Sequence, residues 1–134
     1  MIQHHTLPDL VAAAAPFSHI VESGDTIWLS GILAADDTSA GPEAMDSITT
    51  ETETCLRLIS RMLATVSLTL SDVTSVLVHM TDLTEFEDMN VAYARFFPPG
   101  REPVRTCVGV SALLEGARIE FTCQARHPSL AHAD

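Results

Sequence analysis

Apolar and polar residues alternate over residues 17–22, FSHIVE, and again over 26–31, TIWLSG, with Ser23-Gly24-Asp25 between them. A period of two around a glycine-containing turn predicts a β-hairpin. Residues 32–46 are rich in Asp, Ser, Gly and Pro and predict a loop with room for one short extra strand. The spacing then becomes helical. Ile48, Thr52, Cys55, Leu56, Ile59, Met62, Leu63 and Val66 fall on one stripe, opposite Arg57, Ser60 and Arg61. Thr49 or Thr50 is expected to cap this helix, and Glu51 and Glu53 suit its positively polarised first turn. Residues 73–80, VTSVLVHM, return to alternation, with Val76, Val78 and Met80 on one face and Leu77 and His79 on the other. Apolar residues on both faces predict a central strand. Thr84 is the expected cap of a second helix, whose inner stripe is Phe86, Met89, Asn90, Tyr93, Phe96 and Phe97 and whose stop is Pro98-Pro99-Gly100. Residues 104–110 and 117–125 alternate again and predict a final hairpin.

The element order is ββαβαββ, an α+β arrangement in a single domain over residues 1–134. Each helix links two strands. Such crossovers are overwhelmingly right-handed, so both helices are expected on one face of the sheet. The opposite face keeps apolar residues such as Leu77. A one-sided sheet needs cover, most simply from further copies of the same chain.

Composition narrows the function classes. Of the 134 residues 46% are apolar and 19% charged, which provides for a core and argues against disorder. The formal net charge of −11, with no basic run, disfavours nucleic acid as a partner. No apolar stretch approaches the roughly 20 residues of a membrane span. The opening MIQHHTLPDLVAAAAPF has no Lys or Arg before its short apolar piece and does not read as a signal peptide, so a cytoplasmic location is expected. Cys55, Cys107 and Cys123 are odd in number and lack a CxxC spacing, which fits free thiols. The six histidines form no tight ligand pattern, so no metal is expected, and His4-His5 falls in a segment expected to be mobile.

One charge stands out. In PVRTCVGV, residues 103–110, Val104, Thr106, Val108 and Val110 share a face while Arg105 and Cys107 share the other. If this strand pairs with 117–125 as a hairpin, Arg105 opposes an even-numbered residue. Arg118 would set two like charges together, whereas Glu120 gives an opposite pair. That register clusters Arg105, Cys107 and Glu120 on the face away from the helices. As a wet ion pair they would contribute a few tenths of a kcal/mol. Under a roof, Arg105 is a flat fork suited to a carboxylate ligand, and Glu120 is a base able to hold a water.

The stretches PFSHIVESGDTIWLSG, LVHMTDLTEFEDMNVAYARFF and EPVRTCVGVSALLEGARIEFTCQA resemble the YjgF/RidA family, also labelled endoribonuclease L-PSP or translation initiation inhibitor. The likeness covers residues 16–126 and is most specific in P-x-R-T-C-V. It implies a chorismate-mutase-like fold, a homotrimer whose three sheets form a central barrel, and clefts between subunits. It implies hydrolysis of reactive enamines and imines of the 2-aminoacrylate kind to keto acids and ammonia, with no metal or organic cofactor. By the same resemblance Arg105 binds the substrate carboxylate and Glu120 positions water. Ser30 and Gly31 line the pocket through their backbone, and Cys107 and Asn90 fall on further pocket positions. Two positions depart from the pattern. Phe17 stands where the family has tyrosine, and Ile32 where it favours glutamine. Both changes make the cleft more apolar and point to a bulkier or more apolar substrate. The competing expectation is a non-catalytic member that binds a small metabolite or a protein partner in the same clefts.

Overall fold

The computed structural model describes residues 1–10 and 15–128; His132 lies outside them. Its secondary structure follows the expected order with one addition. A short N-terminal strand, β1 (Gln3–His5), precedes the hairpin β2 (Ile20–Ser23) and β3 (Thr26–Leu29). Helix α1 (Ile48–Ala64), β4 (Val73–Met80), helix α2 (Phe86–Ala94), β5 (Val104–Gly109) and β6 (Ile119–Arg126) follow. The strands form one mixed sheet in the order β1-β2-β3-β6-β4-β5, with both helices packed on one face. Because β1 pairs with β2, His4 and His5 sit in a strand and not in a mobile tail.

Glycine explains the first turn. Gly24 has φ +58°, a left-handed conformation that side chains resist, and it lets β2 turn directly into β3. The loop 32–46 holds two 3-10 turns, Ala34–Asp36 and Pro42–Met45, and no full extra strand. Helix α1 begins two or three residues earlier than its threonines implied. Ser47 is the cap: its Oγ accepts from the Thr50 amide at 3.1 Å, and Thr50 Oγ1 accepts from the Ser47 amide at 3.0 Å. Helix α2 likewise follows a 3-10 turn whose cap is Asp82, which accepts from the Thr84 amide at 2.9 Å. The α-helix ends at Ala94, short of the prolines, which leaves Phe96 half-buried and Phe97 buried.

The predicted stripe of α1 is the core. Cys55, Leu56, Ile59 and Leu63 are fully buried against Val76, Val78, Ile119 and Phe121 of the sheet. Each such aliphatic side chain contributes about 1.5–3 kcal/mol. Glu51 is fully buried as well and is no mere helix-end charge. It accepts from the Arg118 amide at 2.8 Å and from Arg118 Nη1 at 2.6 Å, while the same nitrogen donates to the Met45 carbonyl at 2.6 Å.

The final hairpin does not form. β4 lies between β5 and β6, parallel to the first and antiparallel to the second. Val76 is level with Arg105 on one side and Cys123 on the other, whereas His79 is level with Val108 and Glu120. Directly opposed residues share a face. Arg105 and Cys107 therefore point toward the helices with buried Val76 and Val78, and Glu120 points to the open face with His79. The expected Arg105–Glu120 pair is thus absent. The reason is the two-edged demand of a central strand: β4 satisfies both edges with β5 and β6, which leaves those two no edge to share. The open face carries half-exposed Trp28, Leu77 and Val108 and strongly exposed Val104.

Candidate functional site

The site residues gather in two groups. The first forms where β3 leaves β6. Trp28 pairs with Gln124, and pairing resumes only at Ile32 with Phe121, through amide-to-carbonyl bonds of 2.8 and 3.0 Å. Three residues, 29–31, span what two residues span on β6, so Ser30 and Gly31 bulge toward Glu120. The approach is close. A Cβ on Gly31 would lie 2.8 Å from both Cδ and Oε2 of Glu120, so any other residue here would displace that carboxylate. The other carboxylate oxygen, Oε1, is 3.0 Å from His79 Nδ1.

A cavity of about 280 Å³ opens at this bulge, with Phe17, His19, Ser30, Gly31, Asp36 and Glu120 in its wall. Leu10, Ile32, Leu33 and Leu114 supply the rest of it. A larger cavity of about 500 Å³ lies between residues 7–10 and α1; it shares Leu10 with the first, is bordered by the Arg61–Asp37 ion pair, and does not have Glu120 in its wall. The smaller one has the more reactive lining. Burial pushes the Asp36 carboxyl up, although it accepts from the Leu33 amide at 2.8 Å. His19 is fully buried. Its Nδ1 accepts from the Leu7 amide at 2.7 Å, so the ring proton sits on Nε2, which has no acceptor among the described residues. Ser30 Oγ is buried and unpartnered as well. His19 and Ser30 oppose each other, joined by the bond from the Ser30 amide to the His19 carbonyl at 3.0 Å.

The second group lies under β5 and α2. The Arg105 guanidinium centre sits 4.7 Å from the Tyr93 ring centroid and 5.4 Å from that of Phe86, with Nη1 3.8 Å from Met89 Sδ. Among the described residues it has no acidic partner. Aromatic faces and sulfur hold the cation without neutralising it. Asn90 Oδ1 and the Tyr93 hydroxyl are buried nearby without partners. Burial holds the Tyr93 phenol well above its usual range and raises the Cys107 thiol, the latter tempered by Arg105. Cys123 is pushed up to about 12 by burial. None of these environments activates a thiolate.

Among the described residues no cluster of three or more His, Cys, Asp or Glu side chains converges as a metal site. No helix there is long and apolar enough to cross a membrane. Phe17, Ser30, Gly31, Ile32 and Glu120 thus fall together, and Asn90, Arg105 and Cys107 fall together elsewhere. Sequence reasoning missed His19, His79, Asp36 and Leu114. For the two histidines the available signal was the parity of the strands, which sets His19, Ser30, His79 and Glu120 on one side of the sheet; Asp36 and Leu114 lie in 3-10 turns, where no periodicity marks them.

The sequence profile of the endoribonuclease L-PSP family matches residues 8–127. The chain belongs to that family. It is the YjgF/RidA family that the motifs pointed to. Reactive Intermediate Deaminase A, chloroplastic, from Arabidopsis thaliana is 30% identical over 85% of this chain and 60% of its own length. The 2-iminobutanoate/2-iminopropanoate deaminase of Mus musculus is 28% identical over 82% of this chain and 80% of its own. The crystal structure of YEO7 from yeast superposes with a TM-score of 0.82 at 27% identity, covering 96% of this chain and all of that one. The α+β architecture with two helices on one sheet is therefore that of the L-PSP family.

Proposed function

We propose that the protein is a hydrolytic deaminase of reactive α-imino acids and the enamines that tautomerise to them, releasing a keto acid and ammonia. The observation that carries this reading is a carboxylate, Glu120, held by His79 beside a cavity, in a chain whose Arg105 has no acidic partner among the described residues. Glu120 accepts a proton from water as its oxygen adds to the imine carbon. The proton passes to the imine nitrogen to give a carbinolamine; its hydroxyl proton then moves to the amino nitrogen by way of the same carboxylate, the C–N bond breaks as the keto C=O forms, and ammonia leaves. Arg105 grips the carboxylate of the same substrate by two parallel hydrogen bonds.

Arg105 and Glu120 face opposite sides of one sheet, so a single chain does not offer both to one small molecule. A second copy supplying Arg105 to the Glu120 cavity resolves this. The exposed Trp28, Leu77, Val104 and Val108 on the open face fit burial between copies. The reading is therefore a homotrimer with intersubunit clefts. Phe17, Ile32 and Leu114 in the cavity wall favour substrates with apolar side chains over 2-aminoacrylate itself.

The test generates imino acids of graded side-chain size in situ, with a carbonyl-reactive trap in competition, and measures keto acid release with and without the protein. Acceleration that increases with side-chain size is expected. Keto acid binding without acceleration of any imine would favour the non-catalytic reading. A monomer in sedimentation equilibrium at micromolar concentration would remove the composite cleft.

A further inference from the structure

We infer that His79 is a positioning residue for Glu120. This inference rests on the deaminase reading and adds a role for a side chain outside the cavity wall. His79 stands on β4 with strands on both sides, level with Val108 of β5 and Glu120 of β6. Its backbone is thus held on both edges and cannot slide. Its Nδ1 lies 3.0 Å from Glu120 Oε1. A carboxylate oxygen accepts hydrogen bonds, so the proton of this contact sits on Nδ1.

On its other side the carboxylate faces Gly31, where the missing Cβ leaves room: a Cβ there would meet Cδ and Oε2 at 2.8 Å. The two oxygens are thereby made unequal. Oε1 is occupied by the imidazole, and Oε2 is left beside the bulge and the cavity to take the proton of the attacking water. A carboxylate free to rotate would present either oxygen and lose that orientation for part of the time. An ordinary cross-strand pair would contribute a few tenths of a kcal/mol to stability and nothing to turnover. The positioning role differs in that it acts on kcat and leaves ligand affinity alone.

Three variants test it: His79→Phe, His79→Asn and Glu120→Leu. For His79→Phe the expected result is about a tenfold lower kcat in imino acid hydrolysis, with KM, keto acid affinity and assembly state within twofold of wild type. His79→Asn places an amide nitrogen near the position of Nδ1 and should restore most of the rate. Long-range 1H–15N correlation spectra at alkaline pH should show wild-type His79 as the Nδ1–H tautomer, reverting to Nε2–H in Glu120→Leu. Unchanged kcat in His79→Phe overturns the inference, as does a rate loss that asparagine does not rescue. An Nε2–H tautomer in the wild-type protein also overturns it. If the wild-type protein hydrolyses no imine, the deaminase reading fails by itself, and the tautomer measurement still decides whether His79 anchors Glu120.

Discussion

Arg118 and Arg105 sit near opposite ends of the same sheet and have opposite surroundings. Arg118 meets a fully buried carboxylate, Glu51, and a main-chain carbonyl, and its charge is neutralised within the chain. Arg105 meets two aromatic faces and a thioether, and no described residue neutralises its charge. The first arrangement ties the start of α1 to the start of β6. The second holds a fork in place while leaving its hydrogens for something else. An arginine's role is thus read from what it lacks as much as from what it touches.

The sharpest way to break this contrast is to remove each guanidinium in turn. Arg118→Met leaves the Glu51 carboxylate buried with one amide donor and should cost about 3–5 kcal/mol in chemical denaturation. Arg105→Met should cost less than about 1 kcal/mol, since no buried charge is orphaned. Equal losses would erase the distinction. The next effect is on function. Arg105→Lys should reduce imine turnover about tenfold to a hundredfold with little change in melting temperature, because an ammonium cannot reproduce two parallel bonds to a carboxylate. Arg118→Lys should show the reverse, lower stability at near-normal turnover.

Much of this architecture was legible in the chain. The α1 stripe from Ile48 to Val66 and the two faces of β4 are where their periodicity put them. Period alone carries no information on which strand lies next to which, and there the reading failed. Residues 104–110 and 117–125 alternate as hairpin arms would, and nothing in their alternation betrays a third strand between them. The clue lay in β4 itself: a strand apolar on both faces needs two neighbours, and these were the segments left to supply them. Glu51 was misread for a related reason. An acid in a first helical turn satisfies the helix dipole locally, so its long-range partner 67 residues away leaves no local trace. The hairpin placed Arg105 and Glu120 side by side within one chain; in the sheet they face opposite sides, so the proposed function needs a second copy to join them.

Smaller effects refine the contrast. Tyr93→Leu removes one of the rings under Arg105 and should weaken keto acid binding about fivefold, the scale of a partly exposed cation–π contact. Tyr93→Phe keeps the ring and should bind normally, as measured by calorimetry. Smallest is an intermediate case, Glu22, a part-buried carboxylate shared by His127 at 2.9 Å and His5 at 2.6 Å. The hydrogen bond from His127, with that from His5, holds the Glu22 carboxyl below its usual value despite opposing desolvation. A depressed folded-state value stabilises the fold above the unfolded carboxylate range and loses that contribution as pH falls through the folded value. Glu22→Gln should therefore cost under about 1 kcal/mol near pH 6 and nothing measurable near pH 3, by denaturation at the two conditions.

The placement of β6 also governs when this fold can exist. The last of the described strands in sequence, residues 119–126, occupies the interior of the sheet between β3 and β4. During synthesis the ribbon β1-β2-β3 and the pair β4-β5 emerge first, and they share no ladder of their own. Each presents an open edge and an apolar face until Ile119, Phe121, Cys123 and Ala125 arrive to join them. This strand thus works as a keystone: a nascent chain that stalls before it holds two unfinished pieces, and completion of the core waits on residues 119–126.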